Sequence, residues 1–388
     1  MPTAMVSIGS DLERKKWVRE GLIQKVSRSF WAPFTGTTKE SVVYQVNNES
    51  AGEGHTVVFD LDGHITGKAI KGKDTAYGKG EQKRKFSDKV TVERYRLVVD
   101  NGDKFDGVNI GDLNINEHSD SRSKLSDLWI RWKDQGLFDA AQGVLTTNND
   151  GLQTPSHSID LGTTFTFNQL VDIERTLKTS NGYTVGAIRS PLNPFSTTSS
   201  VYGEKPMWIF VVDSAMANML RKDTAGYQTI VRDGDVRGND NRNISGVIGK
   251  VGALLIVEAS QFFGETAGTA AGWGLNSSSI ELAGLRQYDG ANPASALWTG
   301  QTGFNYASTN LHSRGFILGN SALQCAMGKM PDYLWQKSQD FGITSESALE
   351  VWTEMRKTKL KAENSDYKAA KVAGIDYGIV TVDVQVQS

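Results

Sequence analysis

Asp60 and Asp62, at the end of the apolar run VVFDLDG (57–63), are the residues whose types and spacing come closest to chemistry. An apolar strand there delivers two carboxylates to a glycine turn. A second acidic cluster, RDGDVRGNDNR (232–242), gathers Asp233, Asp235 and Asp240 around glycines and invites a calcium reading. It lacks the ligand register and the distal bidentate glutamate of a calcium-binding helix–loop–helix, so a surface loop is the expectation. The five histidines, His55, His64, His118, His157 and His312, never pair at ligand spacing. Cys325 lies in SALQCAM, read as an apolar helix, where packing is expected rather than nucleophilic use. No phosphate-binding glycine–lysine loop, dinucleotide glycine fingerprint or serine-hydrolase elbow is present.

VVFDLDG resembles the first motif of haloacid-dehalogenase-type phosphohydrolases. The resemblance implies Asp60 as nucleophile and Asp62 as acid/base around a magnesium ion. The chain departs from the pattern after the glycine. His64 stands where that family favours threonine, and a lysine- and glycine-rich loop follows where an amphipathic helix should. A strand ending in a turn is the expectation.

That loop, 68–85, carries seven cations, Lys68, Lys71, Lys73, Lys79, Lys83, Arg84 and Lys85, against Asp74 and Glu81. It has almost nothing apolar to bury, so it is solvated or held by a partner. Cations this dense could release counterions on a phosphate backbone, but Tyr77 is the one aromatic platform for base stacking. Charge-assisted docking on an acidic surface of a neighbouring subunit explains it at least as well.

Around the loop the periodicity assigns elements. Val57, Phe59 and Leu61 alternate as a strand, and the return strand over 89–99 shifts its apolar phase between Val92 and Tyr95, which indicates a bulge or a change of face. Ser10 and Glu13 form a capping box for a helix over 11–31, with Val18, Leu22, Val26 and Phe30 on one stripe. Its apolar face packs on its own domain or on another subunit. Asp120 or Ser121 caps a long helix to residue 145, with Leu125, Leu128, Trp129, Trp132 and Ala140 inward; about 25 residues make it about 37 Å long. Thr166 and Gln169 cap a shorter helix. KPMWIFVV (205–212) reads as a buried strand, followed by a helix capped at Asp213 or Ser214. Further elements are a strand over 249–257, a glycine-rich stretch over 264–303 punctuated by Trp273 and Trp298, and a strand over 315–318. A helix over 345–361 has Leu349, Trp352 and Met355 inward, and a final strand aligns Val380, Val382, Val384 and Val386.

With 388 residues, 38% hydrophobic and 22% charged, the chain can bury a sizeable core in two or three folding units. A net charge of −2 argues against a global nucleic-acid binder and makes any electrostatic role local. One cysteine excludes an intramolecular disulfide and fits a reducing compartment. Neither a membrane-spanning run nor a secretion signal is legible.

Taken in order, WVREGLIQKVSRSFWAPFTG, GHTVVFDLDG with its basic loop, SKLSDLWIRWKDQGLFDAAQGVL and KPMWIFVVDSAMANMLRKD resemble the major capsid proteins of tailed bacteriophages. Those have the Hong Kong 97-type fold, and the closer similarity is to the capsid family of certain short-tailed phages. The resemblance implies an α+β subunit with an N-terminal arm (1–50), an extended β-hairpin loop over an adjacent subunit (51–102) and a peripheral domain (103–204) with a spine helix over 121–145. An axial domain (205–335) and a return to the peripheral domain (336–388) complete it. It implies a non-enzymatic subunit without cofactor or metal, forming hexamers and pentamers of an icosahedral shell around double-stranded DNA. Expected partners are other copies of the chain, a separate scaffolding protein, a portal and decoration proteins, and packaged DNA held non-specifically. The expected location is the virion, with assembly in the host cytoplasm. Candidate inter-subunit contacts are Lys71, Lys73, Lys79, Lys83, Arg84, Lys85, Trp17 and Phe30. The rivals are a magnesium-dependent phosphohydrolase using Asp60 and Asp62, and a nucleic-acid-binding module built on the basic loop.

Overall fold

The computed structural model describes residues 29–47, 54–62, 68–80, 85–103, 117–143, 156–180, 183–185, 188–190, 196–200, 203–223, 226, 247–260, 263–264, 280–289, 311–329, 331–337, 344–362 and 372–386. Of the helix expected over 11–31, residues 11–28 with Trp17 lie outside them and 29–31 are not helical; the acidic cluster Asp233, Asp235 and Asp240, Trp273 and Trp298, and Lys83 and Arg84 also lie outside.

The strands, in chain order, begin with β1 (Thr35–Gly36), β2 (Val43–Asn47), β3 (Thr56–Asp62), β4 (Lys85–Thr91) and β5 (Glu93–Asp103). Helix α1 (Glu117–Gln142), β6 (Ser158–Asp160) and α2 (Phe167–Ser180) follow. Next come β7 (Tyr183–Val185), β8 (Ile188–Ser190), β9 (Ser196–Ser200), β10 (Gly203–Val212) and α3 (Ser214–Lys222). The chain continues through β11 (Val247–Val251), β12 (Leu254–Glu258), β13 (Phe263–Gly264), β14 (Ile280–Leu282), β15 (Gln287–Asp289) and β16 (Leu311–Leu318). It closes with β17 (Leu323–Met327), β18 (Asp332–Lys337), β19 (Thr344–Lys357), β20 (Lys359–Ala362), β21 (Val372–Asp376) and β22 (Ile379–Gln385).

Two large mixed sheets organise these elements. The first runs β11-β12-β10-β16-β22-β6, with β9 and β15 on its margins. Its middle strand β10 is the apolar run KPMWIFVV, and Ile209, Phe210, Val211 and Val212 are fully buried because both faces are covered. On one face α2 and α3 pack Leu170, Ile173, Leu177, Met216 and Leu220 against Phe210, Val212 and Ile317. Val380, Val382 and Val384 of the last strand join that layer, as their alternation predicts. On the other face α1 lays Leu137, Phe138 and Ala141 on Ile209, Val211 and Phe316.

Local caps set the helix ends. The Asp213 side chain accepts the Met216 N–H at 2.8 Å, so Asp213, not Ser214, caps α3. The Thr166 N–H donates to Gln169 at 2.9 Å, the reciprocal half of a capping box on α2. At the β11–β12 turn, Gly252 has φ +55°, and a Cβ there would run into the Glu174 carboxylate that accepts the Ala253 N–H at 2.9 Å.

The second sheet runs β1-β2-β17-β19-β18, with β5 on the opposite edge of β19. Gly136 lets α1 close on it, since a Cβ there would sit 2.6 Å from the Met355 Cε.

Several expectations change. The helix expected over 345–361, and with it the helical segment over 332–361, is strand: β18, β19 and β20. Leu349, Trp352 and Met355 have helical spacing, but β19 is bonded along both edges and its odd and even positions serve different layers, so tertiary pairing overrides the local pattern. SALQCAM is β17, not a helix, and Cys325 is a fully buried strand residue. The long helix starts at Glu117 and stops at Gln142, so Asp120 and Ser121 lie inside it. The single strand expected over 249–257 is a hairpin broken at Gly252. The phase shift in the return strand marks a change of sheet at Val92: β4 pairs with β3, and β5 pairs with β19. The last strand, β22, is bonded to β16 in the first sheet.

Candidate assembly surface

The hairpin β3–β4 is antiparallel from Thr56 opposite Thr91 to Asp62 opposite Lys85. Its root is anchored. Val57, Phe59, Val90 and Val92 are buried on the second sheet against Ala326, Tyr44, Val46 and Trp352, with Tyr44 edge-on to Phe59 at 5.4 Å. The buried Asp88 carboxylate accepts the backbone N–H groups of Lys89 and Lys359, both at 3.0 Å. The tip has the opposite character. Every residue over 68–80 is exposed, including Lys68, Lys71, Lys73 and Lys79, and Tyr77 is 95% exposed. Lys85 is placed in β4, opposite Asp62.

Asp60 is exposed on β3, opposite Ser87. The strand that delivers it belongs to a two-stranded antiparallel sheet, and no helix is present among the described residues between β3 and β4. The scaffold that would make Asp60 and Asp62 a phosphohydrolase pair is therefore not the one they occupy. Among the described residues no group of three or more His, Cys, Asp and Glu could hold a metal ion. Burial raises the Cys325 thiol above its ordinary range, and the side chain is sealed in the core.

Phe30 faces its own chain. It packs on Trp31 at 5.2 Å and Phe138 at 5.1 Å, while Trp31, 1% exposed, stacks on Phe316 at 6.1 Å. Beneath them Asp134 accepts the Ser29 hydroxyl and the Phe30 N–H, each at 2.6 Å. Burial pushes the Asp134 carboxyl above the usual carboxylate range, against the pull of those two hydrogen bonds and Lys133. The segment leading out of the N-terminal region is thus stapled to α1.

Sequence reasoning missed the polar seam between α1 and the first sheet. Gln135 accepts the Gly284 N–H at 2.9 Å, Asp139 pairs with Arg286, and Gln142 bonds Arg286 and Arg314 main-chain groups. Arg314 in turn holds Asp383 of β22. The residues join three distant parts of the chain, so no local spacing marks them.

Residues 5–171 match the family model described as phage capsid protein. A search of curated proteins found no match. Among solved structures, the chain is similar to the acidic stable capsid structure of Helicobacter pylori bacteriophage KHP30 at 16% identity, with 99% of each chain covered and a TM-score of 0.65. It is similar to the capsid of Ralstonia phage GP4 at 16% identity, covering 100% of this chain and 99% of that one, with a TM-score of 0.64. The capsid asymmetric unit of cyanophage Pam1 matches at 14% identity over 100% of both chains, with a TM-score of 0.61. The α+β arrangement of mixed sheets and few helices is the Hong Kong 97-type capsid fold.

Proposed function

We infer that this protein is the major capsid subunit of a tailed bacteriophage, a structural chain that builds the shell of the virion. The observation that carries this is the capsid fold over the whole chain, joined to the capsid-family match over its N-terminal part. An exposed basic hairpin tip on a firmly anchored root suits a subunit that reaches a neighbour. It does not suit a catalytic centre, which needs its groups held and partly desolvated.

In this reading β3, β4 and the 68–80 loop are the extended loop over an adjacent copy, and α1 is the spine helix. The second sheet, with α1 and the hairpin root, forms the peripheral part. The first sheet, with α2 and α3, forms the axial part that meets the five- and six-fold positions. In this reading β6, α2 and β22 go with the axial part, beside β10. Lys71, Lys73, Lys79, Lys83, Arg84 and Lys85 act at copy–copy contacts, and Trp17 belongs to the arm; Phe30 supports the arm from inside its own chain. Hexamers and pentamers close an icosahedral container around double-stranded DNA, with a separate scaffolding protein, a portal and decoration proteins as partners and the host cytoplasm as the place of assembly. Stability comes from many modest interfaces repeated by symmetry. Expression with the scaffolding protein, followed by electron microscopy, tests this: uniform shells are expected, and a permanent monomer contradicts it.

A further inference from the structure

Lys357 and Asp376 form a buried ion pair where the two large sheets join. Lys357 is the last residue of β19 in the second sheet; Asp376 ends β21, with two residues between it and β22 of the first sheet. The register of β20 on β21 sets Asp376 opposite Lys359, and the Tyr377 N–H donates to the Thr358 carbonyl at 2.9 Å. The two side chains therefore meet diagonally across neighbouring strands, 19 positions apart in sequence. Lys357 Nζ lies 2.9 Å from Asp376 Oδ2, and both residues are 2% exposed.

Lysine is almost never so deeply buried. Taking an ammonium and a carboxylate out of water costs more than their attraction often returns, so a neutral product of the same two groups is favoured. Burial also loosens the proton on the Lys357 ammonium; Asp376 opposes this, while Lys359 and Arg314 add to it. A lysine that gives up its proton is a nucleophile, and here it is held against a carboxyl group.

The surroundings supply what amide formation needs. The Ser156 N–H donates to the same Asp376 oxygen at 2.8 Å, and the Asp376 N–H donates to Ser156 Oγ at 3.2 Å. The carboxyl group is thus fixed on a main-chain donor that would meet a developing oxyanion. His157, the next residue, is buried, hydrogen-bonded to the Asp376 main chain and close enough to feel both charges.

We propose that Lys357 and Asp376 condense within one chain to an isopeptide bond, Nζ to Cγ, with loss of one water. His157 takes a proton from the ammonium and gives it to Asp376 Oδ1. The neutral amine adds to Cγ, and Oδ2, on the Ser156 N–H, carries the negative charge of the tetrahedral centre. A second proton follows from nitrogen to Oδ1, which leaves as water. One C–N bond replaces one C–O bond, nothing is oxidised or reduced, and two buried charges become a neutral amide. The structure holds the pair before reaction. Burial, the largest influence on the His157 imidazole, remains once the two charges are gone. The product is a covalent clasp between the end of β19 and the entry to β22. It needs no neighbouring copy, so it stands or falls apart from the reading of the chain as a shell subunit.

The test is the intact mass of the full chain, expressed alone, incubated folded and then denatured. A mass short by one water is expected, and trypsin should release residues 357–359 joined as a branch to residues 372–388. Lys357→Arg, which keeps the cation but removes the amine, and Asp376→Ala should both return the full mass without the branched peptide. His157→Gln, checked for folding by circular dichroism, should form the bond on the order of a hundredfold more slowly; an unchanged rate overturns the proton relay. A parent chain of full mass with no branched peptide overturns the bond itself. So does a missing water that persists in Lys357→Arg, because it then comes from an aspartate closing on its own main chain.

Discussion

Asp139 and Arg286 form a two-pronged ion pair, Nε to Oδ1 at 2.8 Å and Nη2 to Oδ2 at 3.1 Å, that locks α1 onto the margin of the first sheet. The same carboxylate accepts the Gln135 amide at 2.7 Å, so one side chain fixes both the arginine and the helix turn that holds Gly284. Both members are largely desolvated. Removing one partner of such a pair leaves the other charge uncompensated, which costs more than the pair itself contributes. Asp139→Ala should lower subunit stability by about 3 kcal/mol. Asp139→Asn, which keeps an acceptor oxygen, should cost less. Urea unfolding midpoints check the order; equal midpoints for Asp139→Ala and the parent would show the seam to be idle.

Phe30 and its neighbours predict a stability effect rather than an assembly effect. Phe30→Ala opens a hole against Trp31 and Phe138 and should destabilise the isolated subunit by about 3 kcal/mol. Thermal unfolding of the assembly-free chain is the measurement. An unchanged melting temperature would mean that Phe30 serves a neighbouring copy instead.

Gly252 gives a sharper case. Alanine there must hold a positive φ and displace the Glu174 carboxylate from the Ala253 N–H. Gly252→Ala should cost about 2 kcal/mol, and Glu174→Ala in the same background should recover part of it. If the two losses simply add, the clash is not the cause.

The buried group around His157 sets a pH dependence. His157 is 6% exposed beside Asp376, which accepts the Lys357 ammonium at 2.9 Å and the Ser156 N–H at 2.8 Å. Burial lowers the imidazole below its ordinary value of 6.5; Asp376 opposes this, and Lys357 reinforces it. Burial likewise lowers the Lys357 ammonium, against Asp376. The unfolded imidazole therefore binds its proton at higher pH than the folded one. The stability this group contributes is fully present above 6.5 and is lost as pH falls through the folded value. His157→Asn should flatten the fall in urea midpoint below that pH relative to the parent chain. Parallel curves for the two proteins would remove His157 as the cause.

How much of this was legible depended on whether the signal was local. The hairpin strand at Val57 and Phe59, the buried run over 205–212, the valines of β22 and the Asp213 and Thr166–Gln169 caps are written in neighbouring residues, and the structure follows them. In β19 helix-like spacing competes with two-edged pairing to strands far away in sequence, of which a single sequence shows nothing. The change of sheet at Val92 left a trace, the apolar phase shift, which narrowed to a bulge or a change of face. The α1 seam left none.

The central claim, that this chain is a shell subunit reaching its neighbour through the basic hairpin tip, is tested most directly by electron microscopy with sedimentation of the full-length chain and the 71–83 deletion, each expressed with the scaffolding protein. The account predicts uniform closed shells from the full-length chain, and folded subunits that fail to close from the deletion. A full-length chain that stays monomeric and shows magnesium-dependent phosphatase activity, lost in Asp60→Asn, would contradict it.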